Sequence, residues 1–104
     1  MNKVQWTLSA QADLEEIAEY IARDSIQVAI DKLSQIKREV GRLEKFAKQG
    51  RIVPELERIG VTTYRELILH PWRINYRAAT EKVYIVAVID GRNVEDVLLR
   101  RNIR

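Results

Sequence analysis

The feature that most constrains this chain is a seam of apolar residues in its second quarter. Ile26, Ala29, Leu33, Ile36, Val40 and Leu43 recur at intervals of three, four, three, four and three, a spacing that keeps all six on one narrow stripe of an α-helix. Charged residues, among them Lys32, Lys37, Arg38, Glu39 and Glu44, fall between them. Such a helix must lay its stripe against a partner surface, because helical propensity alone does not hold it in water. Asp24 and Gln27 have the spacing of a capping box and predict where the helix starts; Gly50 is read as a left-handed terminus. About 20 residues at ~1.5 Å each give a rod of roughly 30 Å, long enough to pair with another helix and still cross a sheet. Each large side chain of the seam contributes about 1.5 to 3 kcal/mol on burial, so Leu33→Asp or Ile36→Asp is expected to abolish folding.

The neighbouring segments supply the surfaces it needs. Upstream, Ala10, Leu14, Ile17, Ala18 and Ile21 form a second apolar stripe, with Asp13, Glu16, Glu19 and Arg23 off it. This predicts a first helix from an N-cap at Ser9 to about Asp24. Before it, Val4, Trp6 and Leu8 alternate with Lys3, Gln5 and Thr7, the period of a short strand. Downstream, residues 51–63 show no clean period, and Pro54 and Gly60 bracket a connection with room for one helical turn. The period then becomes two. Tyr64 to Leu69 and Arg73 to Ala78 read as strands joined at His70-Pro71, and the β-branched run Lys82 to Ile89 reads as a central strand covered on both faces. Asp90-Gly91 ends it, and Val94, Val97 and Leu98 predict a short helix over Asn93 to Arg100. The order β-α-α-β-β-β predicts an α+β domain, 1–104, with a helical hairpin on one face of a mostly antiparallel sheet of three to four strands.

Several function classes are disfavoured. The 104-residue chain has no cysteine, which removes disulfides and thiolate chemistry together. The apolar run Val83 to Ile89 is far short of the ~20 residues of a membrane span, so no membrane association is expected and the cytoplasm is the expected compartment. There is one histidine, His70, and no Gly-rich phosphate loop, HExxH or GxSxG. No metal, cofactor or small-molecule substrate is expected. His70 reads as an ordinary turn residue. Asp13, Glu15, Glu16 and Glu19 read as the dipole-favouring and solvated side of an amphipathic helix. Trp6 and Trp72 read as core packing rather than base-stacking platforms.

Charge is more informative. The net charge is +3; Met1 to Phe46 holds seven Lys or Arg against eight Asp or Glu, and the remainder eleven against seven. The basic excess therefore lies in the second half, which favours an anionic partner there. Arg65, Arg73, Arg77 and Arg92 fall on or beside three consecutive strands, and Arg100, Arg101 and Arg104 follow. Alternation puts Arg73, Asn75 and Arg77 on one face and Ile74 and Tyr76 on the other. Strands about 4.8 Å apart would let several of these arginines share one cationic surface.

The sequence resembles the RelE/ParE superfamily of toxins from bacterial type II toxin-antitoxin systems. The resemblance rests on Ala12-Asp13-Leu14 with Ile17 and Tyr20-Ile21-Ala22, on Gly50-Arg51 and Pro54-Glu55-Leu56, on Tyr64-Arg65-Glu66-Leu67, on Trp72-Arg73-Ile74 with Tyr76-Arg77, and on Val88-Ile89-Asp90-Gly91-Arg92. RelE-like members cut mRNA on the ribosome; ParE-like members carry the same fold and act against DNA gyrase. The helix 1 pattern and the Arg-Glu-Leu strand look ParE-like. RNA cleavage through the 2′-hydroxyl needs a base, an acid and cations for the charge gathering on phosphorus. The resemblance would assign such a role to Arg65, Arg73 and Arg92, yet Leu67 and Leu69 stand where such enzymes often carry basic residues, and the tail LLRRNIR holds no His or Tyr. It thus implies a growth-arresting gyrase inhibitor, of the kind used in plasmid stabilisation, neutralised by a ParD- or RelB-like antitoxin. An mRNA endonuclease and a diverged, inactive binding module are the alternatives. Arg73, Arg77, Arg92, Arg100 and Arg101 are the expected target contacts; no antitoxin-binding residues are assigned.

Overall fold

The first helix starts two residues before the expected position. In the computed structural model, which describes residues 1–90, 97, 98, 100 and 101, α1 spans Leu8–Ala22 and is capped by Thr7, whose hydroxyl accepts the Ala10 N–H at 3.1 Å. Ser9 lies inside the helix. The N-cap of α2 (Ile26–Gly41) is Ser25, whose hydroxyl accepts from the Val28 N–H at 3.2 Å. Asp24 is not the cap because its own N–H still closes the last turn of α1, onto the Ile21 carbonyl at 3.1 Å. Gln27 bonds instead to Asp31, one turn on. The 16 residues of α2 give a rod of roughly 24 Å, shorter than expected, because the chain tightens after Gly41 into a 3-10 turn, Arg42–Glu44, that carries Leu43 into the core.

The seam holds in its second half and fails at its start. Ala29, Ile36, Val40 and Leu43 are buried, Leu33 is half-buried, and Ile26 is 70% exposed. The cluster that joins the helices to the sheet takes in Ile36, Val40 and Leu43 but neither Ile26 nor Leu33. Heptad spacing fixes which side of a helix is apolar; it does not say how far the sheet beneath extends.

Among the described residues, five strands form one sheet in the order β1-β5-β4-β3-β2: β1 Lys3–Trp6, β2 Arg51–Ile52, β3 Tyr64–Leu69, β4 Trp72–Ala79 and β5 Lys82–Ile89. β1 runs parallel to β5 and the other pairs are antiparallel. The α+β class is as expected; the additional strand, β2, is a two-residue piece too short to leave a period. Pro54–Glu57 forms the helical turn α3, with Pro54 at its first position, where the missing N–H costs nothing. Val97, Leu98 and Arg100 are helical, and the Arg101 N–H donates to the Val97 carbonyl at 3.1 Å; the rest of the expected C-terminal helix lies outside the described residues.

The sheet is covered on both faces. Leu67, Ile74, Tyr76, Val83, Ile85 and Val88 meet α1, α2 and the 3-10 turn, with Trp6 and Trp72 packed alongside. On the opposite face Tyr64, Val86 and Ala87 meet Val53, Leu56 and Leu98. No helix of the described residues is long and apolar enough to cross a membrane.

Candidate functional site

Strand alternation places Arg73, Asn75 and Arg77 on the face away from the α1-α2 hairpin, as expected, but their surroundings are not those of one open patch. Across the β3–β4 ladder Glu66 stands opposite Asn75. Glu66 is 1% exposed and accepts from Arg73 Nε at 2.7 Å, Arg73 Nη2 at 2.8 Å, Arg51 Nε at 2.8 Å and Asn75 Nδ2 at 3.0 Å. Glu55 on α3 takes the other side of the same guanidinium, from Nη1 at 2.6 Å and Nη2 at 2.8 Å. Every nitrogen of Arg73 is thus engaged by two carboxylates in a fork geometry that suits a planar guanidinium. The hydrogen bonds from Arg73 hold the Glu55 carboxyl at about 2, far below its ordinary range, and the two carboxylates raise the Arg73 pKa in return. The effect is to staple α3 onto the sheet.

Arg65 lies on the other face, where its Nη1 donates to the Gly50 carbonyl at 2.8 Å. Gly50 is itself held tightly: its N–H donates to the Tyr76 hydroxyl at 2.9 Å, and a Cβ here would stand 2.5 Å from the Glu66 carbonyl oxygen. Gly50 is therefore a close-approach glycine opening β2, not the C-cap of α2. Arg101 forms a two-point pair with Asp13 and also donates to the Val86 carbonyl. Arg100 is exposed and lines a groove with Tyr20, Ile21 and Trp72. Arg92 and Arg104 lie outside the described residues.

Arg77 differs from Arg73 and Arg101. Its guanidinium stacks over the Tyr84 ring, 4.9 Å from the centroid, in cation–π geometry. Among the described residues its buried Nε has no hydrogen-bond partner, nor has the buried Asn75 Oδ1 two residues earlier. No ion pair among the described residues involves it. These arginines therefore divide into Arg73 and Arg101, paired with carboxylates, Arg65, bound to a carbonyl, and Arg77, stacked on a tyrosine ring.

Asp13, Glu55 and Glu66 carry more of the structure than their sequence context suggests. Asp13 reads from the sequence as a carboxylate favouring the helix dipole, yet its side chain is 13% exposed and accepts the Val88 N–H at 2.9 Å. Glu66 leaves a usable trace: a glutamate between Arg65 and Leu67, one strand away from three arginine-bearing positions on its own face. His70 is an exposed turn residue. Among the described residues no group of three or more His, Asp or Glu side chains could hold a metal ion.

A second feature is partly apolar. Val4, Trp6, Leu14, Ala18 and Leu33 line a groove of about 650 Å³ between the hairpin and β1, together with polar side chains that include Gln11, Glu15 and Lys37. β1 is the outer strand of the sheet, so its free side adjoins this groove.

Comparison with known proteins points to one family. The family described as "ParE toxin of type II toxin-antitoxin system, parDE" matches over residues 4–95. A solved chain described as "Chromosomal ParDE TA system from P. aeruginosa" superposes with a TM-score of 0.72 at 25% identity, covering 86% of this chain and 96% of that one. No curated protein matches the chain.

Proposed function

The chain belongs to the ParE toxin family of type II toxin-antitoxin systems, and from that membership we propose that it arrests growth by acting on DNA gyrase and is held inactive by a cognate antitoxin. The observation that carries this reading against RNA cleavage is the saturation of Arg73. An endonuclease of this fold needs cations free to meet the charge gathering on phosphorus. Here the Arg73 nitrogens are spent on Glu55 and Glu66, Arg65 is tied to a backbone carbonyl, and Leu67 is buried in the helix-side core, with Leu69 packed against it. Each missing acid-base group would cost about 10²- to 10⁴-fold in rate.

The antitoxin half of the proposal is supported by the likeness to a ParDE system and by two features that suit a segment that folds on binding. The groove beside α1 and α2 fits the apolar side of an amphipathic helix, and the free edge of β1 offers backbone groups for strand addition.

Expression of the chain from a tightly controlled promoter, with and without its antitoxin, tests the proposal. Filamentation, a DNA-damage response and gyrase trapped on cleaved DNA are the expected outcome, reversed by the antitoxin. Translation arrest with mRNA cut inside ribosomes would replace the gyrase reading with the endonuclease one, and normal growth would show the chain to be an inactive binding module.

A further inference from the structure

Among the described residues, three cations on the face of the sheet opposite the hairpin enter no ion pair. Parallel pairing sets Lys3 directly beside Lys82, and the next outward-facing row runs Gln5, Tyr84, Arg77, Tyr64 across four strands. Val4, Trp6, Val83 and Ile85 point to the hairpin side, so alternation turns Lys3, Lys82 and Arg77 to the other. Lys3 and Lys82 are exposed and Arg77 is half-buried. None of the ion pairs among the described residues includes any of the three, although Glu81 adjoins both lysines, giving its backbone carbonyl to the Lys3 N–H. Like charges directly opposite on neighbouring strands destabilise a sheet; an anion lying across them would reverse the sign.

We propose that Lys3, Lys82 and Arg77 form a contact site for the phosphodiester backbone of duplex DNA. Three observations fix the ligand class. The cations are spread over three adjacent strands, β1, β5 and β4, rather than converging on a point, which suits a line of phosphates more than one small anion. The Arg77 guanidinium is oriented by the Tyr84 ring at 4.9 Å and enters no ion pair among the described residues; its Nε is buried, so contact with a phosphate falls to the outer part of this half-buried side chain. The rings offer no stacking platform: Tyr64 is buried and the face of Tyr84 is taken by Arg77. Single-strand binders rely on free aromatic faces; contact limited to the backbone favours the duplex. Lysines on an outer strand also guard its edge against pairing, and that role alone predicts no affinity for DNA.

The site stands whether or not gyrase is the target, and its test needs no gyrase. A labelled duplex oligonucleotide is titrated with the purified full chain over a range of salt, followed by anisotropy. Three phosphate contacts predict that log affinity falls with log salt at a slope of about −2.7. Lys3→Gln, Lys82→Gln and Arg77→Gln are each expected to reduce that slope by about one and to weaken binding on the order of tenfold at low salt. Arg38→Gln, on the opposite side of the molecule, changes neither the fold nor the Lys3 row and serves as control. Thermal melts separate binding from stability, since Lys82→Gln relieves a like-charge contact and should melt no lower than the parent. The proposal is overturned by absent duplex binding, by affinity that the three substitutions leave unchanged, or by equal or tighter binding of single-stranded DNA or polyglutamate.

Discussion

Arg101 and Asp13, 88 positions apart in the chain, meet through two hydrogen bonds of 2.8 Å. Their place explains their strength. β1 pairs with β5 only as far as Trp6 opposite Ile85, after which the chain leaves the sheet to form α1. Beyond that point Asp13 accepts the Val88 N–H at 2.9 Å and Arg101 donates to the Val86 carbonyl at 2.8 Å. The ion pair thus finishes the edge of β5 where no strand remains to do so, and it ties α1 to the C-terminal turn.

Removing one partner should therefore cost more than a surface ion pair does. Asp13→Ala leaves a half-buried guanidinium unpaired and strips the Val88 N–H of its acceptor, which predicts a loss of about 2 to 3 kcal/mol in urea unfolding. Arg101→Met keeps the hydrocarbon stem and should cost less. A loss below about 0.5 kcal/mol for Asp13→Ala would place the pair among ordinary surface bridges.

Two glycines should answer the same substitution with opposite sign. At Gly41, the last residue of α2, an added Cβ meets nothing within 4 Å, so Gly41→Ala should raise stability by about 0.5 to 1 kcal/mol through helix propensity and a less flexible unfolded chain. At Gly50 the same methyl stands 2.5 Å from the Glu66 carbonyl oxygen and 2.8 Å from the Tyr76 hydroxyl. Backbone must move there, and Gly50→Ala should cost at least about 1 to 3 kcal/mol. Paired thermal melts decide it, and a stabilised Gly50→Ala would contradict the packing around β2.

Acid should loosen α3 through Glu55. Its carboxyl titrates at about 2 in the folded protein against an ordinary 4.5, chiefly because Arg73 donates two hydrogen bonds to it. A depressed carboxyl contributes fully above its unfolded value, and the contribution is lost as pH falls from about 4.5 through about 2. Glu55→Gln should lower stability at neutral pH and flatten the acid limb of the stability profile within that window. Coincident acid limbs for the two proteins would show that Arg73 gives Glu55 no net stabilisation.

The parts of this fold visible in the sequence are those written with a period. Ile36, Val40 and Leu43 announce a helix, Arg73 to Ala78 a strand, and the change of period at Tyr64 separates the two layers. Their arrangement was also within reach, because short links leave few topologies open. What periodicity does not carry is the length of the surface under a helix: Ile26 continues the stripe of Ile36 and yet faces solvent. Nor does it carry pairing between charges. Arg73 and Arg77 occupy equivalent positions four residues apart, and only the fold reveals that Glu55 and Glu66 flank the first while a tyrosine ring backs the second. Asp13 is the clearest loss, because its partner atoms on Val88 and Arg101 come from segments remote in the chain.

The exposed start of α2 separates stability from antitoxin recognition. Ile26 and Ile30, 70% and 50% exposed, continue toward half-buried Leu33 and the groove that Leu33 shares with Leu14 and Ala18, while Ile36, one turn further, is fully buried against the sheet. Ile36→Ala should therefore cost about 2 to 5 kcal/mol. Leu33→Asp, which the seam alone marks as lethal to folding, should leave a weakened but cooperatively melting protein. Ile26→Ser with Ile30→Ser should change stability by no more than about 0.5 kcal/mol for each site. If the antitoxin seats a helix along this stripe, that double variant remains folded and toxic but escapes neutralisation, seen as growth arrest persisting when the antitoxin is co-expressed. Full rescue of the double variant would move the antitoxin off α2, leaving the free edge of β1 as the surface it uses.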